Sequence, residues 1–373
     1  MQQTGGGARG RRDWLKLGLA GLAVPALAAL PGRRAQAAIP DALVAAAKKN
    51  GGLNVIALPR DWANYGEIID SFTAKYGIKI DSANPDGSSA QELQALRSLK
   101  GQARCPDSVD VGPSFALIGK QQGLFAANKV STWDSIPADM KDADGEWVGD
   151  YFGLVSFAAN RSVAKTMPMT WADLKKPEYK GMIALNGSPL GAGAAFAAVF
   201  AAALANGGSH DDIAPGVHFF GELAKLGNFN PAKATPAGLV GGQTPITIDW
   251  DYLSLGYRQK AQGKADVTVT IPEGSTPYGS FYCQAVTKGG PNPDAVKLWM
   301  EYLYSDEGQL LFLKGFAHPV RYADLVKRNA VPEALAKELP PAAPYQNVKF
   351  ASQDQLAKAQ KVLADLWPKV VKI

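Results

Sequence analysis

The sequence has few of the residues that enzymes most often use for chemistry. It contains two cysteines, Cys105 and Cys283, and three histidines, His210, His218 and His318. No two histidines have the His-x-x-x-His spacing, which excludes a zinc-hydrolase helix. There is no Gly-x-Ser-x-Gly elbow. Gly112 and Gly119-Lys120 have the wrong spacing for a phosphate loop. Two cysteines cannot make a disulfide framework. They leave open a single bridge in an oxidising compartment or a pair of buried thiols. No run of apolar residues approaches the roughly 20 needed to span a bilayer. Carboxylates are abundant, so a secreted hydrolase built on paired carboxylates is the alternative from the enzyme class.

An excess of one charge is also missing once the first residues are set apart. The chain has 373 residues and a formal charge of +5, but Arg9, Arg11, Arg12, Lys16, Arg33 and Arg34 stand in residues 1–37 against the single acid Asp13. The remainder holds equal numbers of basic and acidic residues, so nothing in it points to nucleic acid as a partner. Arg11-Arg12-Asp13-Trp14-Leu15-Lys16 resembles a twin-arginine export motif. A mildly apolar run from Leu17 to Leu30 follows, and Ala35-Gln36-Ala37 is a small-x-small cleavage site. The expectation is export to the periplasm with cleavage near Ala37.

The mature chain is organised around Leu53 to Leu96. Leu53 to Leu58 is an apolar run closed by Pro59, and reads as a strand. Asn64 with Glu67 forms a candidate capping box for a helix that places Ile68, Ile69, Phe72 and Tyr76 on one face. Gly77 ends that helix, Ile78 to Ile80 begins a second strand, and Ser88 or Ser89 caps a second helix with Gln91 and Glu92. Strands joined through a helix are parallel, and the loops that follow them line a crevice at their carboxyl ends. Those loops carry Asp61, Trp62 and Tyr65 after the first strand, and Asp86, Ser88 and Ser89 after the second.

The same logic applies further on. Ser108 to Val111 is a short strand before a helix from Phe115 to Gln122. Phe152 to Asn160 is a strand. Met182 to Leu185 is a strand that runs into the glycine-rich Asn186 to Gly193 and an alanine-rich helix, Ala194 to Ala205. Pro245 to Asp249 is a strand that ends in Trp250-Asp251-Tyr252. Val267 to Ile271 is a β-branched strand, and Tyr278 and Tyr282 lie where the chain returns to a strand from Cys283 to Thr287. Asp294 to Tyr304 is a helix, Pro340-Pro341 to Pro344 is linker-like, and Gln353 to Val371 is an amphipathic helix broken near Pro368.

In this order the segments resemble type II periplasmic solute-binding proteins of ABC importers, in the branch that binds spermidine/putrescine, ferric iron and related solutes. Thr170-Trp171-Ala172-Asp173-Leu174, Pro177 to Ile183, Ile271-Pro272-Glu273-Gly274, Ser305 to Gln309 and Pro319-Val320-Arg321 carry the likeness. The resemblance implies an α/β fold of two lobes, each a mostly parallel sheet flanked by helices, joined by a strand hinge. The expected division is lobe 1 at 38–155 and 271–330, lobe 2 at 156–270, and a C-terminal helical segment at 331–373 whose lobe is open. The hinge candidates are Leu154 to Ala159 and Val267 to Tyr282. The implied role is non-catalytic and cofactor-free: a monomer closes on a small solute and docks on a permease of the inner membrane.

The candidate solute-binding residues are Asp61, Trp62, Tyr65, Asp86, Ser88, Ser89, Asp249, Trp250, Asp251, Tyr252, Tyr278 and Tyr282. Aromatic faces attract an ammonium and carboxylates fix it, so an amine-bearing, polyamine-like solute is the first expectation. The second is a phosphate- or phosphonate-bearing anion on the helix N-termini at Ser88-Ser89 and Gly191 to Gly193, with Arg60 nearby. Ferric iron is third, because the adjacent tyrosines used by iron-binding relatives are missing here.

Overall fold

The computed structural model describes residues 39–340, 343–345 and 348–372. The export signal and its cleavage site lie outside the described residues, as does Pro341 of the linker-like stretch. The elements run α1 (Asp41–Asn50), β1 (Leu53–Ile56), α2 (Tyr65–Tyr76), β2 (Ile80–Ala83), α3 (Ser89–Ser98), β3 (Ser108–Val111), α4 (Pro113–Gln121), β4 (Phe125–Ala126) and β5 (Val148–Asn160). They continue with β6 (Ile183–Leu185), α5 (Gly193–Ala205), α6 (Ala214–Leu226), β7 (Phe229–Asn230), α7 (Pro236–Gly241), β8 (Ile246–Trp250), α8 (Asp251–Lys260), β9 (Val267–Thr270) and β10 (Gly279–Thr287). The last are α9 (Pro293–Leu303), α10 (Asp306–Lys314), β11 (His318–Pro319), α11 (Tyr322–Lys327), α12 (Glu333–Glu338) and α13 (Gln353–Val370).

β5 is the strand that joins the two lobes. Its first half pairs antiparallel with β10, Leu154 opposite Gly279 and Val148 opposite Gln284, and with β11. Its second half pairs with β8, Val155 opposite Trp250 and Ala159 opposite Ile246, and with β9. The change of partner falls between Leu154 and Val155, at the start of the first hinge candidate. The βαβ pairs are parallel as expected, β1 with β2 and β6 with both β7 and β8. β1 and β2 form a two-stranded parallel sheet of their own, and the crossing strands add antiparallel pairs to the nine-stranded sheet, which is mixed: a strand that returns from the other lobe enters against the direction of the βαβ strands.

Periodicity placed the cores well. Ile68, Ile69, Phe72 and Tyr76 of α2 are buried, with Phe72 meeting the rings of Trp299 and Tyr302 of α9 edge-on at 5.2 and 5.5 Å. α5 is buried on nearly every side. Its alanines let α6 approach so closely that a Cβ on Gly216 would lie 2.0 Å from the Val199 carbonyl oxygen.

Three local expectations are corrected. Asn64 takes a left-handed conformation (φ 66°) and does not cap α2; its Nδ2 donates instead to Glu67 and to the Leu311 carbonyl, at 3.1 and 3.0 Å. At α3, Ser88 N donates to Gln91 Oε1 at 2.9 Å, but Glu92 turns inward. α13 runs through Pro368, because so near a helix end the missing N–H and the ring disturb only the last turn. α13 packs on both α4 and α6, so it touches both lobes. The two cysteines are buried free thiols.

Candidate functional site

A cleft of about 510 Å3 lies between the two lobes. The loops after β1 and β2 and the end of β3 form one wall. The Asn186 to Gly193 loop with the start of α5, the Lys233 to Pro236 turn and α8 form the other. These are the loops at strand carboxyl ends, where a parallel unit leaves backbone and side chains exposed. Of the expected residues, Asp61, Trp62, Asp86, Ser88, Ser89 and Tyr282 line it.

Tyr65, Asp249, Trp250, Asp251, Tyr252 and Tyr278 do not line it. α8 begins at Asp251, directly after β8, so there is no loop to carry these side chains outward. Asp249 sits one layer behind the wall and accepts from two lining residues, Asn186 Nδ2 at 2.9 Å and the Tyr257 hydroxyl at 3.3 Å. Asp251 accepts from Leu154 N at 2.9 Å and from the Tyr345 hydroxyl, which ties α8 to β5 and to the C-terminal segment. Trp250 and Tyr252 stack on each other at 6.3 Å, and Tyr278 stacks on Phe200 at 5.0 Å, all within the core. Tyr65 is fully buried, and its hydroxyl lies 2.9 Å from Asp110 Oδ2 and 3.0 Å from Asp150 Oδ2.

Two further acids in the cleft lining are Glu92 and Asp110, neither of them on the expected list. Both line the cleft and both are nearly fully buried. Glu92 Oε2 accepts from the Asp110 backbone N–H at 2.9 Å. Asp110 Oδ2 accepts from the Tyr151 hydroxyl at 2.7 Å, while Oδ1 has no hydrogen-bond partner. Trp62 Nε1 in turn donates to the Tyr151 oxygen at 2.6 Å, so one line of hydrogen bonds joins the cleft wall to Asp110. Burial pushes the Asp110 carboxyl up to about 7 and holds Glu92 well above the usual carboxylate range. Asp249 is also raised to about 7 by burial. The sequence did hold a signal for Asp110: it stands near the end of a short strand, as Asp249 does, though without the flanking aromatics that singled out Asp249.

Lys233 is a lining cation that sequence reasoning missed, with Nζ 3.2 Å from the Asp86 carbonyl oxygen on the opposite wall. Arg60 turns away from the cleft and pairs with Asp70. Trp62 and Tyr282 meet edge to face at 5.3 Å and give the cleft an aromatic corner. Among the described residues, the carboxylate group with metal-ligand spacing is Asp142, Asp144 and Glu146, outside the cleft lining. Lys120 Nζ reaches all three, at 2.7, 2.7 and 3.5 Å, and supplies the positive charge that they need.

The two lobes thus flank a cleft whose lining carries acidic and aromatic side chains. The chain belongs to the bacterial extracellular solute-binding family, whose model matches residues 111–358. This places it among extracytoplasmic binding proteins, not enzymes. It is similar in structure to the periplasmic binding protein AfuA from Actinobacillus pleuropneumoniae with fructose-6-phosphate bound: TM-score 0.69, 17% identity, 87% of this chain and 99% of that one covered. Iron-bound HitA from Pseudomonas aeruginosa is similar at a TM-score of 0.64 and 18% identity, over 86% of this chain and 99% of the other. A putative spermidine/putrescine ABC transporter from Listeria monocytogenes is similar at 0.63 and 12% identity, over 85% and 98%. At these identities the likeness is one of fold. Comparison with curated protein sequences finds no match.

Proposed function

We propose that this protein is the periplasmic solute-binding component of an ABC importer, and that its solute carries an ammonium group, as a polyamine does. The observation that carries the choice of solute is Asp110, a buried residue of the cleft lining whose Oδ1 has no hydrogen-bond partner. A buried charge of this kind is costly until a cation meets it, and an ammonium beside the rings of Trp62 and Tyr282 does so. Lobe 1 comprises 38–155 and 271–330, and lobe 2 comprises 156–270, in keeping with the exchange of partners along β5. The monomer captures solute by lobe closure about β5 and β10 and presents the closed form to the permease. A twin-arginine signal, cleaved near Ala37, delivers it; N-terminal sequencing of the exported protein checks that site.

Calorimetry with putrescine, spermidine, fructose-6-phosphate and ferric citrate tests the solute class. Heat from the amines alone is expected. Binding of the phosphate ester without the amines overturns the reading. That second reading has its own support, Lys233 at the cleft beside the N-terminus of α5.

A further inference from the structure

The buried acids beneath the cleft impose a proton count. Trp62 Nε1 donates to the Tyr151 oxygen, so the Tyr151 proton is directed to Asp110 Oδ2, at 2.7 Å. The Tyr65 oxygen lies 2.9 Å from Asp110 Oδ2 and 3.0 Å from Asp150 Oδ2, and accepts from Gln284 Nε2 at 2.9 Å. A phenol has one proton and can serve only one carboxylate. The other contact is a hydrogen bond only if a carboxyl group carries a proton of its own.

Among the described residues, no cation is paired with either carboxyl group to replace that proton. The titratable groups facing the pair are Tyr65 of α2, Glu92 of α3, Tyr151 of β5, Tyr252 of α8, Tyr282 and Cys283 of β10, and Tyr304 after α9. All are acids, phenols or a thiol. Lys233, which lines the cleft, donates to the Asp86 carbonyl oxygen.

We propose that the Asp110–Asp150 pair keeps one shared proton at all times and holds a second in the empty cleft, which it loses when a cationic solute seats against Asp110 Oδ1. This rests on the amine reading above and adds its regulation. The balance is simple: the Asp110 O–H bond breaks, its electron pair stays on the carboxylate, the proton passes to cleft water and the ammonium takes its place. The second proton is present only below the range in which Asp110 titrates, near about 7. Affinity therefore rises with pH up to that range and levels off above it, the sign expected when binding releases a proton.

The test is calorimetric titration of putrescine into the exported protein, in two buffers of unlike ionisation enthalpy, at about pH 6 and about pH 8. Release approaching one proton per putrescine at the lower pH, falling toward none at the higher, is expected. Infrared difference spectra of the ligand-free protein provide a second readout: Asp150→Asn removes a protonated-carboxyl band at neutral pH. A band unchanged by that substitution overturns the shared proton. Putrescine binding without proton release at either pH overturns the coupling and leaves the amine reading standing. If no amine binds, the amine reading fails and the coupling falls with it.

Discussion

Lys260 reaches Asp61 at 2.9 Å, joining α8 of one wall of the cleft to the loop after β1 of the other. Two further ties cross the same gap: Lys233 Nζ to the Asp86 carbonyl at 3.2 Å, and Ala90 N to the Gly191 carbonyl at 3.2 Å. Together these contacts bridge the two walls of the cleft.

Lys260→Ala should therefore speed solute release without disturbing the fold. The pair is partly exposed, and such pairs are individually weak, so the release rate should rise by up to about fivefold. Stopped-flow displacement measures it. Added salt should produce part of the same effect in the parent protein and little in the variant.

Asp110→Asn and Asp251→Asn should separate affinity from stability. The first removes the charge that meets the ammonium and should weaken amine binding by roughly ten- to a hundredfold, with the fold retained. The second loosens the tie between Leu154, α8 and Tyr345, and should lower the melting temperature more than the affinity. Trp250→Ala, in the core, should cost about 3–5 kcal/mol of stability. Thermal melts and calorimetry on the same preparations distinguish the two effects.

Stability of the ligand-free protein should fall as pH rises from about 4 to about 7. Asp110 and Asp249 are raised to about 7 and Asp251 to about 6, all chiefly by burial. A carboxyl whose folded value lies above its unfolded value binds more protons in the folded state across that window, so its contribution is full below the unfolded value and is lost as pH rises to the folded one. Carboxylates held low, such as Asp173 at about 2 beside Lys176, act in the opposite sense only below about pH 4. Asp249→Asn should flatten the profile between about pH 5 and 7. A melting temperature that climbs across this window would contradict the burial argument.

Cys105 and Cys283 should be silent toward a thiol reagent until the protein unfolds. Both are buried and free, and burial raises both thiols above their usual range, which suppresses the reactive thiolate. Two equivalents of thiol should appear on adding denaturant, and a reductant should leave the melting temperature unchanged.

Much of the molecule was legible in its sequence, because local rules act over a few residues. The apolar spacing of Ile68, Ile69, Phe72 and Tyr76, the glycine at 77 (φ 70°) and the β-branched run at 267–270 specify elements whatever lies around them. The likeness of ordered segments, Thr170 to Leu174 through Pro319 to Arg321, led to the right family. Asp61, Trp62, Asp86, Ser88 and Ser89 line the cleft as expected because loops at strand ends face a crevice, whereas Tyr282 reaches it from within β10.

Tertiary structure decided which acids belong to the site. Asp249 and Asp110 both stand near the carboxyl end of a short strand that leads into a helix. Asp249 is covered by Asn186 and Tyr257, whereas Asp110 comes up under the cleft with one oxygen unpaired. The pairing is set by other chain segments, Asn186 for Asp249 and Tyr65 and Tyr151 for Asp110, each about forty or more residues away. Only the packed lobes determine which charges are left for a ligand.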